Sequence, residues 1–176
     1  MSLQNEVRWL LDLIKEAWPS YGIEPYGDEY GGAFPSNTVR IDRDEPRILE
    51  TGERKKRVKL DRYNVISATL ANRDRQPIGT EFDYHVETVL NVRIEGANAS
   101  THGQLDDSDH FNYLVAATQY AIGSERSYPD VDPDGSDFGR VQYVDARIEN
   151  EQNLSNEDKD YYRADFDVRL RGYDCR

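Results

Sequence analysis

The sequence predicts an α+β fold: a mostly antiparallel sheet built from two long hairpins and packed with an N-terminal helix and a central amphipathic helix. Residues 82–95 alternate apolar and polar side chains with a period of two, which is typical of a strand with one buried and one solvated face. Residues 161–173 show the same alternation. Residues 3–18 and 109–122 instead repeat apolar side chains every three or four positions, which indicates amphipathic helices. Antiparallel sheets commonly show such one-sided strands.

The N-terminal helix is predicted over 3–18, with Ser2 as its N-cap and Pro19 as its stop. Glu6 falls on its polar side in this interpretation. The predicted apolar stripe consists of Leu3, Val7, Leu10, Leu11, Ile14 and Trp18.

The strands follow in chain order. A short strand is predicted at 38–41, and Val65–Leu70 pairs with 82–95 through a turn-like segment, 72–79. Strands 141–149 and 161–173 form the second hairpin, joined by the polar segment 150–159. The solvated face of strand 82–95 carries Asp83, Glu87, Arg93 and Glu95.

The central helix, 109–122, is predicted to pack on the apolar face of strand 82–95, with Ser108 or Asp109 as its cap. Its stripe consists of Phe111, Leu114, Val115, Thr118 and Ile122. Loops are expected at 20–37, 96–108 and 124–140. The length suits one domain spanning 1–176.

The charge composition is strongly acidic. The net charge is -12, with 34 Asp and Glu against 22 Lys and Arg, and Lys is rare beside Arg. Such an Asp-rich, Lys-poor surface is typical of salt-adapted proteins, although an ordinary acidic protein is the alternative. The negative electrostatic field of this charge repels phosphate and excludes a protein whose whole surface binds nucleic acid. No run approaches membrane-spanning length, and no export signal is visible, so we expect a soluble protein.

One acidic loop has the spacing of calcium ligands. Asp130, Asp132 and Asp134 alternate and are followed by Gly135, as at the start of a calcium-binding loop. The twelfth position, where a bidentate Glu belongs, is Val141, and Pro133 restricts the backbone. Calcium is therefore the one cofactor the sequence suggests, and a plain acidic turn is the alternative.

One basic island interrupts the acidic chain. It suits docking onto an acidic protein partner, and a solvated loop is the alternative. Aromatic residues that stack on bases are missing beside it, which argues against single-stranded nucleic acid. The island consists of Arg54, Lys55, Lys56, Arg57 and Lys59.

No catalytic signature is present, so we expect no enzymatic activity. His85, His102 and His110 are scattered over a strand, a loop and a helix start, where solvated or capping roles are the default. The single cysteine, Cys175, allows no intramolecular disulfide.

The order of elements carries a resemblance. The segments VISATL, TEFDYHVETVLNVRIEG, DHFNYLVAATQYAIG, VQYVDARIE and YYRADFDVRLRGY resemble the tail-terminator or tail-completion proteins of tailed viruses, especially those of haloarchaea. The N-terminal helix ending at Trp18 and Pro19 fits as well. The resemblance covers element order over most of the chain without an invariant motif, so it assigns no site residue.

The resemblance implies a structural role in the head–tail neck of a virion assembled in the host cytoplasm. Such proteins form a ring, commonly a hexamer, that caps the tail tube, ends its polymerisation and joins it to the head. The implied partners are further copies of the chain, the tail tube protein, and the head–tail connector or stopper, with DNA only as cargo in the lumen. A stopper or adaptor of the same neck and a small calcium-binding cytoplasmic module are the alternatives.

Overall fold

The secondary structure comes from a computed structural model that describes residues 5–17, 39–42, 60, 64–79, 83–99, 105–124, 130–131 and 140–175. The helices are α1 Asn5–Ala17 and α2 Ser108–Ser124. A 3-10 turn spans Glu157–Lys159. The strands are β1 Val39–Asp42, β2 Asn64–Pro77, β3 Asp83–Ala97, β4 Asp130–Val131, β5 Arg140–Asn153 and β6 Tyr161–Cys175.

All the described strands belong to one sheet in the order β1-β2-β3-β6-β5-β4. The four long central strands, β2, β3, β6 and β5, pair with one another in antiparallel fashion. Strand β4 is antiparallel to β5, and β1 pairs in parallel with the first residues of β2. The predicted α+β fold with two long hairpins is confirmed. So is the position of β3 between the strand before it and the closing strand.

The long strands extend further than predicted. The segment predicted as a turn after residue 70 is mostly strand, because β2 pairs with β3 from Asn72↔Val89 to Pro77↔Tyr84. The hairpin turn is shorter and includes Gly79, whose φ of 60° favours glycine. Strand β5 likewise continues to Asn153. Polar residues resemble a loop in sequence, but an exposed strand accepts them because its ladder bonds involve only the backbone.

Irregularities in the ladder change which side chains face the helices. In β2 the register shifts between Leu70 and Asn72, which leaves Ala71 as an extra residue. A bulge of this kind reverses the alternation, so Leu70 and Arg73 lie on the same face of the sheet. Strand β5 shifts in the same way between Tyr143 and Asp145.

Both helices pack on one face of the sheet, which we call the helix side. On β3 the predicted apolar face is confirmed, with Val86, Thr88, Leu90, Val92 and Ile94 fully buried. All five residues of the predicted α2 stripe are buried in the same core. At the start of α2, Phe111 stacks on Tyr162 of β6 with ring centroids 5.4 Å apart. Full burial of a large apolar side chain contributes about 1.5–3 kcal/mol, so this layer supplies most of the stability.

The helix caps and loop boundaries differ from the prediction. The cap of α2 is Asp107 rather than Ser108 or Asp109, because its Oδ1 accepts the His110 backbone N–H at 2.8 Å. The predicted loop 96–108 begins later, because β3 continues to Ala97, and within it Leu105 is fully buried and bridges to Asn98. The predicted loop 124–140 contains β4. The loop 20–37 and the stripe ends Leu3 and Trp18 lie outside the described residues.

Gly172 gives a test of the packing between β5 and β6. A Cβ at this position would lie 2.1 Å from the Gln142 carbonyl oxygen, so the two strands would have to separate. We expect Gly172→Ala to destabilise the protein by about 1–3 kcal/mol, as overpacking does. Urea unfolding followed by circular dichroism measures this change.

The matched control is Gly123→Ala in the last turn of α2, where an added Cβ meets nothing within 4 Å. We expect this variant to equal or slightly exceed the parent in stability, because alanine favours helix. Equal effects of the two substitutions would contradict the close approach at Gly172.

Candidate assembly surfaces

A buried carboxylate joins α1 to the sheet. Glu6, in the first turn of α1, is fully buried and forms an ion pair with Arg73 of β2. The Tyr143 hydroxyl of β5 donates a hydrogen bond to Glu6 Oε1 at 2.8 Å, and it lies 2.7 Å from the Thr88 hydroxyl of β3. The Glu6 cluster, defined as Glu6, Arg73, Thr88 and Tyr143, therefore ties three strands to one helix.

The electrostatics of the Glu6 cluster follow from its burial. Burial raises the pKa of Tyr143 far above its ordinary value, and the adjacent Glu6 carboxylate acts in the same direction, so the phenol stays a donor. The other carboxylate oxygen of Glu6, Oε2, is buried without a hydrogen-bond donor in the described part of the chain. The cluster is thus held by the ion pair and by the Tyr143 donor.

A second buried carboxylate lies nearby on the helix side. Asp174 of β6 is buried, and Arg75 Nη1 lies 3.3 Å from its Oδ2. Among the described residues neither oxygen of Asp174 has a hydrogen-bond donor, so this contact is an ion pair without hydrogen-bond alignment. Arg73 and Arg75 both face the helices because of the bulge at Ala71.

The prediction that Glu6 lies on the polar side of α1, away from the apolar stripe, was wrong, because Glu6 is fully buried. Glu6 lies three residues after Leu3 and four before Leu10, which is the spacing of the apolar stripe itself. That position was a signal available in the sequence. The partner was not, because Arg73 reaches the helix side only through the bulge.

The face of the sheet away from the helices, which we call the open face, carries a network of ion pairs. Arg169 of β6 bonds Glu149 of β5 at 2.7 Å and also bonds Glu87 of β3. Glu87 is in addition 3.2 Å from Arg171 Nε. The network therefore links β3, β6 and β5.

Asp165 is the centre of a second network on the open face. Arg163 Nη2 lies 2.6 Å from Asp165 Oδ2, and Arg93 Nε lies 3.3 Å from Oδ1. Burial alone would raise the pKa of Asp165, but the hydrogen bonds and charges of Arg163 and Arg93 outweigh it and hold the pKa below its usual value.

The predicted solvated residues of β3 have different environments. Glu87 and Arg93 are half-buried within the ion-pair networks, whereas Glu95 is buried. Tyr161 donates to Glu95 Oε1 at 2.5 Å, and burial together with this bond raises the pKa of Tyr161. The side chain of Asp83 lies outside the described part of the structure.

Charge on the open face is almost balanced. Among the described side chains of β2, β3, β5 and β6 on this face, seven carboxylates against five arginines give a net charge of about -2, compared with -12 for the whole chain. The carboxylates are Asp74, Glu87, Glu95, Asp145, Glu149, Asp165 and Asp167. The arginines are Arg93, Arg147, Arg163, Arg169 and Arg171.

Each side of the sheet ends in a strand that is only partly paired. Strand β1 covers β2 only as far as Ser67, and β4 covers only Val141 and Gln142 of β5. Within the described ranges no strand pairs with the remainder of either edge. We call these stretches, 68–77 of β2 and 143–153 of β5, the free edges.

The sequence-predicted sites lie almost entirely outside the described residues. This holds for the whole basic island, Arg54, Lys55, Lys56, Arg57 and Lys59, and for Asp132 and Asp134. Asp130 begins β4 opposite Gln142. Within the described ranges no three His, Cys, Asp or Glu side chains are placed to hold a metal ion. The docking site and the calcium site stay predictions.

The described histidines do not converge. His85 is on the open face, where its ring packs edge-on against Tyr173 at 5.8 Å. His110 is buried at the start of α2, where its Nδ1 accepts the Asp106 backbone N–H at 3.1 Å. Burial lowers the pKa of His110 against the opposing charges of Asp106 and Asp107.

Comparison with known proteins includes a distant structural likeness. No protein-family model and no curated protein sequence matches the chain. A solved structure described as the virion of a native gene transfer agent particle contains a chain that is 15% identical, with a TM-score of 0.39, over 93% of this chain and 94% of that chain. Separately, none of the described helices has the length and apolarity needed to cross a membrane.

The Glu6 cluster gives a test of how α1 is held. We expect Glu6→Gln to destabilise the protein by about 3 kcal/mol, the lower end of the range for removing one partner of a buried ion pair, because Arg73 keeps 24% side-chain exposure. Urea unfolding measures the change. Glu16→Gln, an exposed position on the same helix, is the control and should change stability by less than about 0.5 kcal/mol. If Glu6→Gln leaves the free energy of unfolding unchanged, the ion pair does not hold the helix.

Asp165 gives a test with a pH signature. Its folded pKa lies below its ordinary value of 3.8, so its contribution to stability is present above that pH and is lost as pH falls through the folded pKa. We expect Asp165→Asn to lower the urea midpoint near neutral pH, with the difference from the parent shrinking below pH 3.8. The exposed Asp158→Asn is the control. A pH-independent difference would contradict the assignment.

Proposed function

We propose that this protein is a structural subunit of a virion, and that copies of it close into a ring at the neck between head and tail. The observation that carries the proposal is the pair of free edges on opposite sides of one sheet. Exposed edges with unpaired N–H and C=O groups are templates for pairing with another chain. The proposal rests on these edges and on the order of elements, and not on the distant likeness to the gene transfer agent chain.

Two different edges on one subunit make a heterologous contact. If the edge of β5 of one copy meets the edge of β2 of the next, every copy offers and accepts one contact. Such a contact gives a closed ring when the rotation between copies closes, and a filament when it does not. Capping a tube requires the closed form.

The layer structure supports closure and indicates which face lies inside. Both helices lie on one side of the sheet, so that side is the bulkier one. When sheets close edge to edge, the bulkier layer takes the longer outer circumference, as helices do around a barrel. The open face, apart from its buried end at Val65, Ser67 and Glu95, then lines the lumen.

The charge pattern of the open face suits a lumen through which DNA passes. The lining arginines Arg93, Arg163, Arg169 and Arg171 are already bonded to carboxylates of the sheet. Phosphate groups would have to displace those carboxylates, in a face whose net charge is slightly negative. DNA would therefore slide as cargo without being held.

Within the neck, we propose the tail terminator, which caps the tail tube, ends its polymerisation and meets the head connector. The resemblance in element order supports this station, with a stopper or adaptor as the alternative. The role needs no catalysis and no cofactor. The acidic, Lys-poor composition supports a salt-rich host, because dense carboxylates keep a protein soluble when salt screens their repulsion.

We expect the purified protein to form closed rings in molar KCl and to lose them at low salt, where the unscreened charge of -12 per copy opposes assembly. Light scattering, native mass spectrometry and negative-stain electron microscopy give the mass and symmetry. Proteomics of purified particles tests incorporation. A strictly monomeric protein in molar salt that is also absent from particles would contradict the proposal. The position of the ring in a cryo-EM map of the neck separates terminator, stopper and adaptor.

A further inference from the structure

We infer that neighbouring copies pair the free edge of β5 with the free edge of β2 in one register, in which Arg147 of one copy lies opposite Asp74 of the next. This inference rests on the proposed ring and adds the interface and its alignment. It follows from three properties of the sheet: strand direction, the stops at each edge, and charge.

Strand direction permits a continuous sheet. The strands β2, β3, β6 and β5 alternate in direction, and because there are four of them, the two outer strands run antiparallel to each other. Rotation about an axis roughly along the strands keeps these directions. The β5 strand of one copy therefore meets the β2 strand of the next as an antiparallel pair, which continues the alternation.

The two free edges have the same length and a fixed offset. Each cross-strand row of the sheet can be named by its β3 residue. The free edge of β2 runs from Pro77 in the row of Tyr84 to Ala68 in the row of Val92. The free edge of β5 runs from Tyr143 in the row of Val86 to Asn153 in the row of Ile94. The second edge is thus displaced from the first by two rows.

The short strands β4 and β1, which block one end of each free edge, fix the alignment. Strand β4 occupies the rows of Tyr84 and His85, next to the Tyr143 end of the free edge of β5. The last residue of β1, Asp42, occupies the row of Arg93, next to the Ala68 end of the free edge of β2. In a level alignment, in which residues of the same row in the two copies lie opposite each other, β4 of one copy would occupy the place of the end of the neighbouring β2. The neighbouring β1 would likewise occupy the place of the end of β5. A shift of two rows moves both stops clear and brings the whole lengths of the free edges together.

Charge selects the same shift. In the level alignment Asp145 of β5 would lie directly opposite Asp74 of the next copy, since both belong to the row of Glu87. Like charges directly opposite each other destabilise a strand pair. After the shift, Asp74 lies opposite Arg147, and Asp145 lies opposite Gln76.

The side chains involved are available for this contact. Arg147 is 59% exposed and bonds only its own Asp145 at 2.9 Å among the contacts of the described residues. Asp74 and Gln76 are exposed on the opposite edge. The contact therefore breaks no buried interaction and places an arginine between two carboxylates.

Disulfide trapping tests the register on full-length protein carrying Cys175→Ser, which removes the single native thiol. The shifted register predicts cross-linking of Asp74→Cys with Arg147→Cys, and of Gln76→Cys with Asp145→Cys. The level pair, Asp74→Cys with Asp145→Cys, should cross-link at least tenfold more slowly. Non-reducing gels after mild oxidation measure this. Within one copy Asp74 and Asp145 are three strands apart, about 14 Å, so no internal disulfide competes.

Mixing the two single variants is the matched control. Copies carrying only Asp74→Cys and copies carrying only Arg147→Cys can form dimers and nothing larger, whereas the double variant forms a ladder up to the ring. This pattern is expected only of a heterologous contact.

The outcomes separate the inference from the proposed function. Rings that cross-link through the level pair, or through neither pair, overturn the register and leave the ring intact. A parent protein that stays monomeric in molar KCl overturns the inferred interface, and its absence from purified particles as well overturns the proposed function. A charge exchange gives an independent check: Asp74→Arg and Arg147→Asp should each lower the fraction of protein in rings, and the combination should restore it.

Discussion

The ion pair between Glu6 and Arg73 depends on one extra residue in β2. Without the bulge at Ala71, Arg73 and Arg75 would face solvent, and the carboxylates of Glu6 and Asp174 would be buried without a counter-charge. An uncompensated buried charge costs several kcal/mol, a large part of the stability of a domain. The bulge therefore allows a charged first turn of α1 to lie on the sheet. The position of α1 on the core therefore depends on the bulge.

The two faces of the sheet manage charge in different ways. On the helix side a few ionic groups pack against a large apolar cluster, and each has one ionic partner among the described residues. On the open face carboxylates and arginines of neighbouring strands form networks, in which Glu87, Asp165 and Arg169 each have two ionic partners. Arginine suits this arrangement better than lysine, because its planar fork bonds two carboxylates at once. This use of arginine agrees with a composition in which lysine is rare.

Free strand edges are a hazard that proteins normally cover. Here, among the described strands, β1 and β4 each cover only one end of an edge, at opposite ends of the sheet, and the remainders carry bulges and exposed charged side chains such as Asp74 and Arg147. These features limit pairing in arbitrary registers, since bulges and charges disfavour mismatched strands. In an assembling subunit, the same features act as selectors of one partner and one alignment.

The sequence by itself determined the class of fold, the four long strands and both helices, because periods of two and 3.6 depend only on which side chains must be buried. It also determined which face of β3 and which stripe of α2 are buried. The ends of β2 and β5 were missed because polar residues in exposed strands resemble loops. Only the tertiary structure decided that Glu6 is buried and that Arg73 lies on the helix side. The displacement of the two free edges by two rows was also decided there. A single inserted residue reverses the alternation of a strand, and its position depends on the neighbouring strand, which the local sequence does not contain.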